Sequence, residues 1–220
     1  MDSIVSGVGV LDKSFSVLDA VADRPCSLAE LVERTGQSRA TVHRIAGALV
    51  THGLLRRTDD GRYALGLHLV ALGRSAAEQF PLATAARPTL AELRDTTGES
   101  VQLYVRDGEH RVCVAAMESP HGLRTIVPVG AALPMEVGSA GRVLSGGVAR
   151  NGFVQTVGER EPGVASVSAP VLDGDEIVAA VSVSGPVDRM GRSPGRRHGA
   201  AVAAAGRAIG TAMRGGDAVN

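Results

Sequence analysis

Residues 27–65, SLAELVERTGQSRATVHRIAGALVTHGLLRRTDDGRYAL, decide how the N-terminal third of the chain folds. Ser27 and Glu30 have the spacing of a capping box, in which hydroxyl and carboxylate each take up an otherwise unpaired backbone N–H. Leu28, Leu31 and Val32 follow at i, i+3, i+4, a helix with one apolar stripe. Gly36 predicts the helix end, since glycine enters the left-handed region without a Cβ penalty. Ser38 is placed to cap a second helix with Val42, Ile45, Ala46 and Leu49 toward the core. The runs 54–58 and 62–65 then flank Asp59-Asp60-Gly61, a hairpin signal because glycine supplies a positive φ. Helix, tight turn, helix and basic hairpin is the order of a winged helix-turn-helix.

In such a unit the N-terminal end of the second helix enters the major groove of duplex DNA. Arginine there bonds guanine bidentately, and threonine bonds a base or packs on a thymine methyl. The candidate DNA-binding residues are therefore Ser38, Arg39, Thr41, His43 and Arg44 on the second helix, with Arg56, Arg57 and Arg62 on the wing. Wing arginines facing phosphates add a salt-dependent, sequence-independent contribution. Helix-turn-helix patterns also occur in folds that bind no nucleic acid, and exposed arginine is commonly a solvated face. The Asp-Gly wing and its arginines are what favour DNA.

The 220 residues suffice for two small domains, at roughly 100–200 residues per domain. Lysine plus arginine and aspartate plus glutamate number 23 each, which argues against a general polyanion binder. The balance is local, however: from 34 to 62 there are six arginines against two aspartates. With three Phe, two Tyr and no Trp, the chain lacks the aromatic platforms that bind single strands. Cys26 and Cys113 have no metal-ligand spacing and read as free thiols of a reducing compartment. The start, MDSIVSGVGV, lacks the basic region of a signal peptide. No apolar run reaches the roughly 20 residues of a membrane span. The expectation is a cytoplasmic protein without membrane association.

Outside the winged unit, residues 1–8 read as frayed and 10–22 as a helix with Leu11, Phe15, Leu18 and Val21 or Ala22 inward. Residues 67–80 read as a helix stopped by Pro81, a linking helix that contributes to a dimer interface in preference to one more core helix. Beyond it, 85–96 is a predicted helix and 100–106 with 111–118 a hairpin. Residues 123–128 are a predicted strand, 139–144 a short helix, 164–172 with 176–184 a second hairpin and 196–214 a terminal helix. Antiparallel pairs with helices before and after predict an α+β sheet covered by helices. The domains are expected at 1–66 (winged helix-turn-helix), 67–81 (linker helix) and 82–220 (the α+β domain). The α+β domain carries no nucleophile elbow, no metal-binding histidine spacing and no nucleotide loop, so neither catalytic nor metal residues nor a cofactor are predicted.

These features resemble the IclR family of bacterial transcriptional regulators over nearly the whole chain. The resemblance rests on Ser38-Arg39-Ala40-Thr41-Val42-His43-Arg44, Tyr63-Ala64-Leu65-Gly66, Pro128-Val129-Gly130, Leu133-Pro134-Met135, Ser139-Ala140-Gly141-Arg142 and Ala179-Ala180-Val181-Ser182-Val183-Ser184-Gly185-Pro186. Within the family, the segments 7–13 and 158–170 resemble actinobacterial NdgR-like regulators of leucine and other amino-acid biosynthesis genes. The resemblance implies a winged helix that binds a palindromic double-stranded operator as a homodimer or homotetramer. It also implies a C-terminal domain with a GAF-like sheet that binds a small-molecule effector, an amino acid or carboxylic acid. The implied effector residues are Leu123, Thr125, Ser139, Ala140, Glu161, Val164, Ser166, Ser182 and Ser184. On residues alone, without the resemblance, the preferred reading of Ser182 and Ser184 is one strand face satisfied internally. The chain departs from the family by a shortening between about 145 and 160. The competing expectation is a constitutive DNA-binding scaffold whose shortened domain only oligomerises; an enzyme is the weakest reading.

Overall fold

The computed structural model describes residues 6–147 and 151–216; most of the expected frayed start and positions 148–150 of the shortened segment lie outside them. The chain divides into two compact units, residues 1–79 and 80–220.

The first unit runs α1 (Gly9–Ala20), α2 (Leu28–Thr35), α3 (Arg39–Thr51), β1 (Leu55–Arg57), β2 (Tyr63–Leu65) and α4 (His68–Glu78). The capping box at Ser27 is formed: Ser27 N–H donates to Glu30 Oε2 at 2.7 Å, and Glu30 N–H donates to Ser27 Oγ at 3.3 Å. Gly36 ends α2 in the left-handed region at φ 64°. Ser38 caps α3 by accepting from Thr41 N–H at 3.3 Å. The core joins Val17 and Val21 to Leu31, Val42, Ile45, Ala46, Leu49, Leu55 and Tyr63. The wing pairs Leu55 with Leu65 and Arg57 with Tyr63, and Cys26 and Tyr63 exchange backbone bonds of 2.9 and 2.8 Å that tie it to the start of α2. The expected inner face of α1 is met at Leu18 and Val21, which pack on the core with Val17 and Ala20, and is corrected at Leu11 and Phe15, which are exposed.

The second unit runs α5 (Pro81–Thr97), β3 (Ser100–Asp107), β4 (His110–Met117), β5 (Ala132–Pro134), α6 (Ser139–Leu144), β6 (Val154–Val157), β7 (Val164–Asp173), β8 (Glu176–Pro186), α7 (Val187–Met190) and α8 (Pro194–Gly216). Its six strands form one antiparallel sheet in the order β5-β4-β3-β8-β7-β6. The two predicted hairpins are its centre. Pro81 does not merely stop a helix; it stands in the first turn of α5, where its missing N–H would be unpaired anyway. Residues 123–128 form no strand, because the edge of β4 is taken by Ala132–Pro134.

Strand alternation sorts the sheet into two faces. Val101, Leu103, Val167, Ala169, Val181 and Val183 meet Leu90, Leu93, Val202 and Ile209 of α5 and α8 in the main core. The alternate positions Tyr104 and Ala180 turn to the other face, against Ala140, Val143 and Leu144 of α6. The Gly- and Ala-rich sequence of α8 follows from how closely it lies on β7: a Cβ at Gly206 would strike the Pro170 carbonyl, and one at Gly210 the Leu172 carbonyl. At the other end of β8, the buried Glu99 carboxylate takes two bonds of 2.7 Å from Arg189, whose third nitrogen donates to the Leu123 carbonyl at 2.8 Å.

Candidate nucleic-acid interface and ligand cavity

In the first unit, α3 and the wing present the predicted residues to solvent. Val42, Ile45, Ala46 and Leu49 are buried, so Arg39, His43 and Arg44 stand on the opposite side, all exposed. Arg39, Arg44 and Arg56 have no hydrogen bond or ion pair among the described residues, which leaves their guanidinium donors for a partner. A groove of about 830 Å³ between α2, α3 and the wing gathers Arg39, His43, Arg57 and Arg62. Thr41, Arg44 and Arg56 lie outside it, and Ser38 is occupied with capping, its hydroxyl also 2.9 Å from Thr41 Oγ1.

The wing arginines are not equivalent. Arg62 is turned back to Glu30 at 3.0 Å and Asp60 at 3.2 Å. Arg57 donates to Tyr63 Oη at 2.6 Å and stacks 4.5 Å from its ring centroid. Only Arg56 of the three is without a partner among the described residues. Glu30 is central to this arrangement: the Ser27 backbone N–H, Arg24, the Ser27 hydroxyl and Arg62 hold its carboxyl down to about 2 from 4.5.

In the second unit, the serines of β7 and β8 occupy the face away from α5 and α8. Ser139 Oγ lies 2.7 Å from both Ser166 Oγ and Ser168 Oγ; Thr156 is 2.9 Å from Ser166; Ser168 donates to Ser182 at 2.9 Å. Ser184 donates to the buried Gln102 Oε1 at 3.1 Å. All of these hydroxyls except that of Ser168 line a cavity of about 20 Å³, room for about one water. Of the residues implied by the resemblance, it brings together Ser139, Ala140, Val164, Ser166, Ser182 and Ser184.

Three expected residues are elsewhere. Leu123 is 71% exposed, and Thr125 is buried but away from the cavity, because their segment is not a strand. The Glu161 side chain is 67% exposed. The acidic group that reaches α6 is Glu159, which accepts from Gly138 N–H at 3.2 Å and pairs with Arg142 at 2.6 Å. The turn 158–163 has no periodicity from which the inward carboxylate could be told from the outward one.

Sequence reasoning missed Tyr104, Arg111, Thr156 and Arg160, which also line the cavity. Arg111 was hidden by a β-bulge. Leu103 pairs with Ala115, but Tyr104 pairs with Cys113, so Val114 is extra. Simple alternation would put Arg111 and Cys113 on the face of Ala115, under the helices. The bulge turns them to the face of Tyr104 and α6. Burial lowers the Arg111 pKa and raises that of Tyr104, and it pushes the Cys113 thiol up to about 11, an unreactive thiol.

The sequence profile of the IclR helix-turn-helix domain matches residues 10–59. That of the bacterial transcriptional regulator IclR C-terminal domain matches 74–150 and 146–211. The chain therefore belongs to the IclR family of DNA-binding transcriptional regulators, which is not a family of enzymes. The HTH-type transcriptional regulator KipR of Bacillus subtilis is 27% identical over 210 residues, 79% of this chain and 84% of that protein. The glycerol operon regulatory protein of Streptomyces coelicolor is 26% identical, covering 83% and 86%. An IclR homolog of Microbacterium hydrocarbonoxydans, solved with 4-hydroxybenzoate, superposes with TM-score 0.80 at 19% identity, over 94% of this chain and 99% of that one, so the fold is shared. Among the described residues no helix is long and apolar enough to cross a membrane.

Proposed function

We propose that this chain is a ligand-responsive regulator that reads a double-stranded operator with Arg39, Thr41, His43 and Arg44 of α3. Arg56 and Arg57 of the wing lie on the flanking phosphates, and Arg62 and Ser38 position the wing and helix rather than touch DNA. The observation that carries this reading is the exposed arginines of α3 and β1 that lack any partner among the described residues, on a helix-turn-helix matched by the family profile. The serine-lined cavity is the effector site; the 4-hydroxybenzoate held by the Microbacterium homolog supports a carboxylate-bearing effector. A homodimer is supported by apolar surface with no cover: Val10, Leu11 and Phe15 of α1, and Leu67 and Val70 at α4. Control of amino-acid metabolism, leucine biosynthesis among it, rests on the likeness of segments 7–13 and 158–170 to NdgR-like regulators.

One observation favours the alternative of a constitutive scaffold. The cavity holds little more than one water, and the family profile matches the second unit in two pieces that meet at 146–150, in keeping with a shortening there. Equilibrium binding to an operator fragment tests the leading reading. Arg39→Ala and Arg44→Ala each weaken operator binding by about 1–3 kcal/mol and relax sequence preference, as loss of a base-reading arginine does. Unchanged affinity in both variants removes α3 as the reading helix.

A further inference from the structure

Arg111 is 97% withdrawn from solvent, at 3% relative exposure, yet it forms no ion pair among the described residues. Its Nε is buried with no acceptor, one Nη donates to the Pro134 carbonyl, and the guanidinium lies 5.5 Å from the Tyr104 ring centroid. The charge of Glu136 reaches Arg111 without pairing to it, and a buried guanidinium without a paired anion is costly unless an anion completes it. Arg160 lines the same cavity from the 158–163 turn, held among the described residues only by a 3.8 Å contact to the exposed Glu161. No carboxylate lines the cavity; the rest of its polar wall is hydroxyl.

We propose that the cavity takes a small ligand carrying two negative charges, a dicarboxylate or a phosphate monoester, with Arg111 and Arg160 as its two counter-charges. This rests on the reading of the cavity as the effector site and narrows it. A single carboxylate would leave one guanidinium unmatched, whereas two acceptor groups satisfy Arg111 Nε and release Arg160 from its long contact. Arginine presents a planar fork of donors that fits carboxylate and phosphate oxygens. The hydroxyl chain from Thr156 through Ser166, Ser139 and Ser168 to Ser182 reorients without unpairing, since each hydroxyl both donates and accepts. With room for one water at present, the ligand enters by displacing a wall. The 158–163 turn, exposed apart from Arg160 and joined to α6 through Glu159, is the wall that carries one of the two charges.

Calorimetric titration of the full chain at fixed ionic strength tests this. The probes are succinate, malonate and glycerol 3-phosphate, against butyrate, 4-hydroxybenzoate and leucine. The expected result is that at least one dianion binds tenfold or more tightly than every monoanion and than leucine. Arg160→Gln, on an exposed turn, loses about tenfold for that dianion and little for the monoanions; Arg111→Met, if folded, does the same. Succinate or malonate binding alone assigns a dicarboxylate, and glycerol 3-phosphate binding alone a phosphate monoester. A monoanion or leucine binding as tightly as any dianion, or dianion affinity unchanged in Arg160→Gln, overturns the two-charge proposal while leaving the effector site standing. Heat from none of the six probes overturns both.

Discussion

At the scale of single residues, position in the fold decides which arginines are left for DNA. Arg62 looked equivalent to Arg56 in sequence, but Glu30 and Asp60 hold it, while Arg56 is free of partners among the described residues. Arg56→Ala is therefore expected to weaken binding to all duplex sequences alike and to reduce the salt dependence of log K by about one phosphate contact, measured as the slope against log salt concentration. An unaltered slope would place the wing off the backbone. Glu30 makes a separate, pH-dependent contribution. Its folded pKa, about 2, is below the ordinary 4.5, so the stability it contributes is fully present above 4.5 and is lost as pH falls toward 2. Glu30→Gln should flatten the acid limb of the first unit's unfolding curve over that window, read by circular dichroism; an acid limb identical to the wild type contradicts the assignment.

At the scale of elements, what was legible in the sequence is what local chemistry fixes. The capping box, the Gly36 stop, the wing turn and both hairpins of the sheet are each written in a few adjacent residues. Leu18 and Val21 of the expected inner face of α1 reach the core, but Leu11 and Phe15 do not, because the apolar residues of α1 outnumber the positions that the small three-helix core covers. Arg111 was missed because a bulge breaks the period of two, and a bulge leaves no mark in the composition of β4. Six of the nine expected effector residues do line one cavity, since strand alternation carries the serines of β7 and β8; the loop positions do not, for want of any period. The packing of α8 gives a stability prediction. Gly206→Ala forces its Cβ into the Pro170 carbonyl, a loss of about 1–3 kcal/mol by overpacking that exceeds the roughly 1 kcal/mol gained in helix propensity. Gly73→Ala, with open space around it in α4, has only the propensity gain. Thermal midpoints moving in opposite directions bear this out; a stabilised Gly206→Ala variant means that α8 yields readily.

At the scale of the whole molecule, the sequence carries a DNA-reading unit and a second unit whose polar cavity faces away from its main core. An effector acts on such a protein only through different affinities for two arrangements of the DNA-bound and free states. Under the proposed function, the winged unit's arginines and the cavity's hydroxyls and guanidiniums would be two ends of one equilibrium. The most direct measurement is a footprint of the purified full chain on the DNA upstream of its own gene and its neighbours. It is run with and without amino acids, 2-oxo acids and dicarboxylates. The expected result is a palindromic protected site whose occupancy changes with one of these compounds. A protected site indifferent to all of them would contradict ligand control and leave the constitutive scaffold, and no protection at moderate salt would contradict the reading of α3 and the wing as an operator-binding surface.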